Sequence, residues 1–173
     1  MADIRPAKIA TGIIPMEKYT RNRLIGPKGT KNNDFAYILL EQPGFRKAVI
    51  GSYAAHATTL GEDNFEVSAD YPGYWVRKME STSVDFAFFF AGSVGSQSPV
   101  GEGNGFDRAQ WIGNALADSL NRHLSRAEPL EDVTLSYLSL RMDLPPFNIR
   151  VTADRNLSTA VSRKLLPFPE SAY

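Results

Sequence analysis

Cysteine is absent from this 173-residue sequence. Disulfides, thiolate nucleophiles and thiolate zinc sites are thereby excluded. Histidine is nearly absent: only His56 and His123 occur. Zinc takes three or four protein ligands, so imidazole alone cannot supply a site here. Long apolar runs are missing too. The longest centres on Phe86–Ala91, far short of the roughly 18–20 residues that span a bilayer. Met1 to Pro6 carry no apolar stretch of a secretory signal, which leaves the compartment open. Net charge is also lacking, because Lys+Arg and Asp+Glu both number 19. Attraction of the molecule as a whole to nucleic acid or an anionic membrane is not expected.

What is present is an ordinary globular balance, 43% hydrophobic and 22% charged. The length predicts a single domain over 1–173. Charge is unevenly placed: residues 1–31 hold seven basic and two acidic side chains, and the remainder is acidic by the same margin. This basic start, loop-rich to about residue 34, reads as a strand over Lys8–Ile14 and then a long loop. Its cations serve either as a solvated surface or as an anion or partner patch.

The next segments alternate between strand and helix signals. Phe35–Glu41 and Phe45–Ala55 read as strands joined by a Gln42–Gly44 turn, a hairpin. Ser68–Ser81 reads as a helix with Asp70 as N-cap and Pro72 in the first turn. Ser83–Ala91 is continuously apolar, which predicts a central strand covered on both faces. Gly92–Gly105 reads as a glycine-rich loop and Phe106–Ala127 as a helix. In that helix Phe106, Ala109, Ile112, Leu116, Leu120 and Leu124 share a face. Val133–Met142 alternates like a strand, Phe147–Thr152 reads as extended and Asp154–Leu165 as a short helix. Together these predict an α/β fold: a mixed, mostly parallel sheet with an antiparallel hairpin edge and flanking helices.

Parallel strands place their following loops at one edge of the sheet, where ligands of open α/β sheets bind. His56 and the Gly92–Gly105 loop are therefore expected to be neighbours. His56 sits at a strand's carboxyl end, suited to a ligand or acid–base role or to a structural hydrogen bond. Glu62, Asp63, Glu66 and Asp70 match no calcium-loop spacing and read as a solvated acidic loop. The glycine-rich loop offers free N–H groups and the hydroxyls of Ser93, Ser96 and Ser98 to an anion or oxyanion. It lacks the Gly-Lys-Ser/Thr of a phosphate loop and the Gly-x-Ser-x-Gly of a hydrolase elbow. His123, beside Arg122 and Arg126, fits a helix C-terminus. Trp75 and Trp111 read as core.

His56-Ala-Thr-Thr-Leu-Gly61, then Asn64, then Val67-Ser-Ala-Asp-Tyr-Pro-Gly73, resembles the neutral/alkaline non-lysosomal ceramidase family. In that family a His-x-Thr-(Ser/Thr) stretch precedes Ile-Ser-Gly-Asp-x-x-Gly. Gly95-Ser-Gln-Ser-Pro99 is similar to the family's Gly-Asp-x-Ser-Pro element, and Asp143-Leu-Pro-Pro-Phe-Asn148 to a later stretch of bacterial relatives. The likeness runs from about Lys8 to about Leu166. It implies an amidase that hydrolyses ceramide with one zinc ion. His56 would be a zinc ligand and Ser98 the active-site serine beside the metal-bound water. Gly95, Ser96 and Gln97 would form the wall of the site, with Asp70 a structural cap nearby. Relatives are often secreted, periplasmic or membrane-associated.

The chain departs from that pattern. The family's further histidine lies upstream of the matching motif and its Glu and Tyr lie downstream, and none is matched here. Ser96 stands where the family has Asp. The expectation is a central segment of a ceramidase-like catalytic domain, acting on a lipid amide when complete. By itself it is expected to bind no zinc and to be inactive. The alternative is a binding or assembly module that keeps the scaffold. Apolar faces left open at the flanks are expected to drive self-association, as a homodimer.

Overall fold

A computed structural model describes residues 5–44 and 46–143. Two units are distinguished, Met1–Leu135 and Ser136–Tyr173. Every helix and strand of the described residues lies in the first. In the second, residues 136–143 carry no regular secondary structure.

The main sheet has four strands, β1 (Lys8–Pro15), β3 (Asp34–Gln42), β4 (Arg46–Tyr53) and β5 (Phe86–Ala91), in the order β1-β3-β4-β5. A short β2 (Thr20–Asn22) precedes β3, and a short β6 (Gln97–Pro99) follows β5. These two pair with each other in a separate antiparallel ribbon. Helix α1 (Asp70–Thr82) connects β4 to β5, and α2 (Gly105–Leu124) follows β6. The sheet is mixed and flanked by helices, as expected, but the parallel share is smaller. Only β4 and β5 run parallel, while β1–β3 and β3–β4 are antiparallel. The expected later strand at Val133–Met142 does not form, so among the described residues no second crossover extends the sheet. The readings at Phe147–Thr152 and Asp154–Leu165 lie outside the described residues.

Alternation sets the inner face. Phe35, Tyr37 and Leu39 of β3 and Val49 and Tyr53 of β4 are buried under the helices. Helix α1 brings Tyr71, Trp75 and Met79, four residues apart. Helix α2 brings Ala109, Ile112, Leu116 and Leu120. Both spacings place one stripe against the sheet. At the centre, Trp75 lies 5.5 Å from both Phe35 and Phe89, ring to ring. Gly51 makes room for this cluster: a Cβ there would stand 2.6 Å from Phe35 Cζ. Full burial of each large side chain stabilises the fold by roughly 1.5–3 kcal/mol.

The outer face is different. Register places Ile9, Leu40, Ala48 and Phe86 in one row across the strands. Thr11, Ile38, Ile50 and Phe88 form the next, and Ile13, Ala36, Ser52 and Phe90 the third. Of these twelve residues only Thr11 and Ser52 are polar. Phe86, Phe88 and Phe90 are 55%, 45% and 53% exposed. This corrects the expectation for Ser83–Ala91: the apolar run forms an edge strand with one covered face. Among the described residues nothing covers its second apolar face.

Candidate functional site

The parallel pairing of β4 and β5 brings their carboxyl ends together, with Tyr53 opposite Ala91. Gly92 N–H donates to the Tyr53 carbonyl at 3.0 Å. The chains leaving both strands therefore start side by side. Three residues beyond Tyr53, His56 N–H donates to the Gln97 carbonyl at 3.2 Å. The expected juxtaposition of His56 with the glycine-rich loop is thus present in the backbone. The loop is not wholly irregular, because its Gln97–Pro99 segment is β6 and pairs with β2.

Gln97 fastens this corner. It is buried, its Oε1 accepts from Asn32 N–H at 2.6 Å and its Nε2 donates to the Ser93 carbonyl at 3.1 Å. Gln97 therefore acts as a structural tie between the loop, the approach to β3 and the exit of β4. Ser98 is half-buried, and its Oγ accepts from Arg21 Nε at 3.2 Å. The carbonyls of Gly95 and Ser96 accept from Arg23, the first from Nε at 3.0 Å and the second from its backbone N–H at 2.9 Å.

His56 is half-buried, and its Nδ1 is buried with no hydrogen-bond partner. A buried, uncommitted ring nitrogen costs stability unless something uses it. Asp70 fixes the loop that follows. Its Oδ2 accepts from Thr59 N–H at 2.9 Å and from Leu60 N–H at 3.4 Å. Its Oδ1 accepts from Tyr71 N–H at 2.6 Å. The N-cap position belongs to Ala69, which corrects the expectation for Asp70. The carboxylate does serve the first turn, but it also clamps the His56 loop to α1. Asp70 adopts φ +53°, alone among the described non-glycine residues in having positive φ, a conformation that Asp tolerates better than most residues.

The Tyr71 hydroxyl donates a short hydrogen bond to the Ala55 carbonyl, next to His56. The Tyr53 hydroxyl donates to the Met16 carbonyl at 2.7 Å. Burial holds both phenols far above the usual tyrosine range. Tyr19 adds to the effect on Tyr53, and Tyr53 and Asp70 add to that on Tyr71. Both are structural donors, not proton shuttles. His123 is also structural: its Nδ1–H donates to the Ser119 carbonyl at 2.9 Å in the last turns of α2.

Arg21, Tyr71 and the tying role of Gln97 escaped the sequence reading. Arg21 and Ser98 stand 77 residues apart, and no local pattern links them. The residues present do not by themselves fit zinc. His56 offers a free imidazole nitrogen, but no group of three His, Cys, Asp or Glu able to hold a metal ion exists among the described residues. No described helix is long and apolar enough to cross a membrane.

A mixed sheet backed by two helices, with its polar groups gathered at the carboxyl edge, defines an α/β unit. Among solved structures this fold is similar to part of the neutral ceramidase from Pseudomonas aeruginosa. The TM-score is 0.57 at 18% identity, over 68% of this chain and 22% of that chain. A structure of ceramidase complexed with C2 gives the same TM-score and coverage at 19% identity. At these identities the likeness is one of fold. The chain spans about a fifth of the length of the solved chains it matches. No protein-family model and no curated protein matches it.

Proposed function

We propose that this chain is a central segment of a ceramidase-like amidase, a hydrolase of N-acyl lipids such as ceramide, and that it is inactive alone. The observation that carries the reading is the free Nδ1 of His56 at the carboxyl edge of a sheet with a ceramidase-like fold. In this reading His56 is a metal donor and Ser98, held by Arg21, faces the scissile amide. Gly95, Ser96 and Gln97 form the wall, and Asp70 keeps the His56 loop in place. Zinc, which the sequence resemblance implies, requires further donors from beyond the described residues.

The test uses the longest natural polypeptide containing this segment, assayed with zinc on a fluorescent N-acylsphingosine. Cleavage is expected, with a drop in kcat/KM of about a hundredfold or more for His56→Ala. The 173-residue chain alone is expected to release no fatty acid. Failure of the intact polypeptide to cleave any N-acyl lipid overturns the substrate assignment.

A second reading, a scaffold-only binding or assembly module, is favoured by Ser96 in place of the family's Asp. Zinc titration by calorimetry of the longest natural polypeptide containing this segment separates the two: stoichiometric binding that His56→Ala abolishes counts against the module, and no binding counts against the amidase.

The chain by itself is further proposed to pair with a second copy through the outer sheet face. Four strands about 4.8 Å apart and six residues rising about 3.3 Å each give a footprint of about 400 Å². That is roughly half of what a standard interface contributes per partner, so the pair is a weak one.

A further inference from the structure

We propose that the surface around β2 is a docking site for an anionic lipid membrane. This inference is independent of amide hydrolysis. A cleft of about 640 Å³ is lined by Lys18, Arg21, Arg23 and Lys31, and no carboxylate lines it. The ion pairs shown among the described residues engage Lys8, Lys47 and Lys78, all outside the cleft. Three of the four cations are held in place by neutral groups. Arg21 and Arg23 each donate through Nε, to Ser98 Oγ and to the Gly95 carbonyl, leaving their terminal nitrogens without a described partner. Lys31 Nζ sits on the carbonyls of Glu17 and Thr20 at 2.8 and 3.0 Å. Charges that line one cleft reinforce one another wherever they fall within the screening length, about 8 Å at physiological salt.

The cleft is built, not incidental. Asn22 is buried; its Oδ1 accepts from the N–H groups of Leu24 and Ile25, and its Nδ2 donates to the Thr30 carbonyl. This ties the 22–30 segment into a closed turn. Gly29 is required there, because a Cβ would stand 2.5 Å from Asn22 Cγ. At the tip of the turn, next to Arg23, Leu24 and Ile25 are 75% and 69% exposed. Cations flanking two exposed aliphatic side chains match an anionic interface, with phosphate on the guanidinium groups and the apolar tip in the acyl boundary. A soluble anion would have no use for Leu24 and Ile25. The neutral overall charge does not oppose this, because the excess positive charge is confined to residues 1–31.

Co-sedimentation of the 173-residue chain with phosphatidylcholine vesicles, with and without 20% phosphatidate, tests the proposal. Binding is expected only to the phosphatidate vesicles. Each basic residue near such a surface strengthens binding about fivefold, so Arg21→Gln with Arg23→Gln is expected to weaken it about 25-fold. Lys18→Gln, which removes no described hydrogen bond, gives a milder loss and guards against misfolding of the double variant. Leu24→Ser with Ile25→Ser is expected to weaken it at least about tenfold. The charge-matched control Lys47→Gln with Lys78→Gln retains binding. No binding to phosphatidate vesicles overturns the proposal. So does equal loss in the control, or indifference to the Leu24 and Ile25 changes, which would indicate a soluble phosphate site instead.

Discussion

The two faces of the four-stranded sheet are both apolar, yet only one is a core. On the inner face Phe35, Val49, Tyr53 and Ala87 meet Tyr71, Trp75 and Leu116 and are lost to solvent. On the outer face Ile38, Phe86, Phe88 and Phe90 remain exposed. Apolar composition therefore reports what a strand is able to cover, not what covers it. The free energy of the fold is concentrated on the helix side. The outer side is the face through which the proposed self-association would run, since contiguous exposed apolar patches of several hundred Å² mark interaction sites.

The sharpest way to break the comparison is to empty the inner face. Trp75→Ala is expected to cost about 3–5 kcal/mol, read as a loss of midpoint in urea unfolding. Failure to lower the midpoint would mean that the cluster around Trp75 is not the core. The next effect comes from pH. Tyr53 and Tyr71 are raised by burial on the inner side. Below about pH 10 the phenols are neutral in both states and stability is complete. Above it the unfolded chain loses its phenol protons while the folded chain keeps them. Stability then falls with rising pH, by up to about 1.4 kcal/mol per pH unit per tyrosine. Urea unfolding at pH 9 and pH 11 checks this, and equal midpoints would refute it.

A paired substitution sharpens the contrast at neighbouring positions of β4. Gly51→Ala pushes a methyl into Phe35 and Trp75 and is expected to cost about 1–3 kcal/mol. Ser52→Ala, on the outer row, is expected to stay within about 0.5 kcal/mol. The smallest effect on stability, and the largest on association, belongs to Phe86→Thr, Phe88→Thr and Phe90→Thr together. Light scattering is expected to show dimer for the unaltered chain at high concentration and monomer for the triple variant. Monomer in both would remove the role of the outer face.

Much of this was legible in the sequence because it is local. The β3–β4 hairpin follows from alternation and turn chemistry, and α2 from a long apolar stripe. The meeting of His56 with the glycine-rich loop follows from one parallel crossover. What was not legible depends on distant partners. Nothing in Phe86–Ala91 distinguishes an edge strand from a central one, since both read as apolar. A three-residue strand has too few positions for a period, so β2 and β6 passed as loop. Val133–Met142 alternates like a strand but finds no ladder, and alternation without a partner is not a strand. At the site, residue types at the end of β4 pointed to His56. The ties made by Gln97, Arg21 and Tyr71 exist only after folding.

The ribbon of β2 and β6 also governs the order of events. It joins Arg21 to Ser98 across 77 residues, so its pairing must await closure of a loop that contains most of the main sheet. Closing so long a loop carries an entropic cost before any contact rewards it. A three-residue ladder offers little in return. The corner that positions Ser98 is therefore expected to assemble after the helix-backed sheet and to open before it.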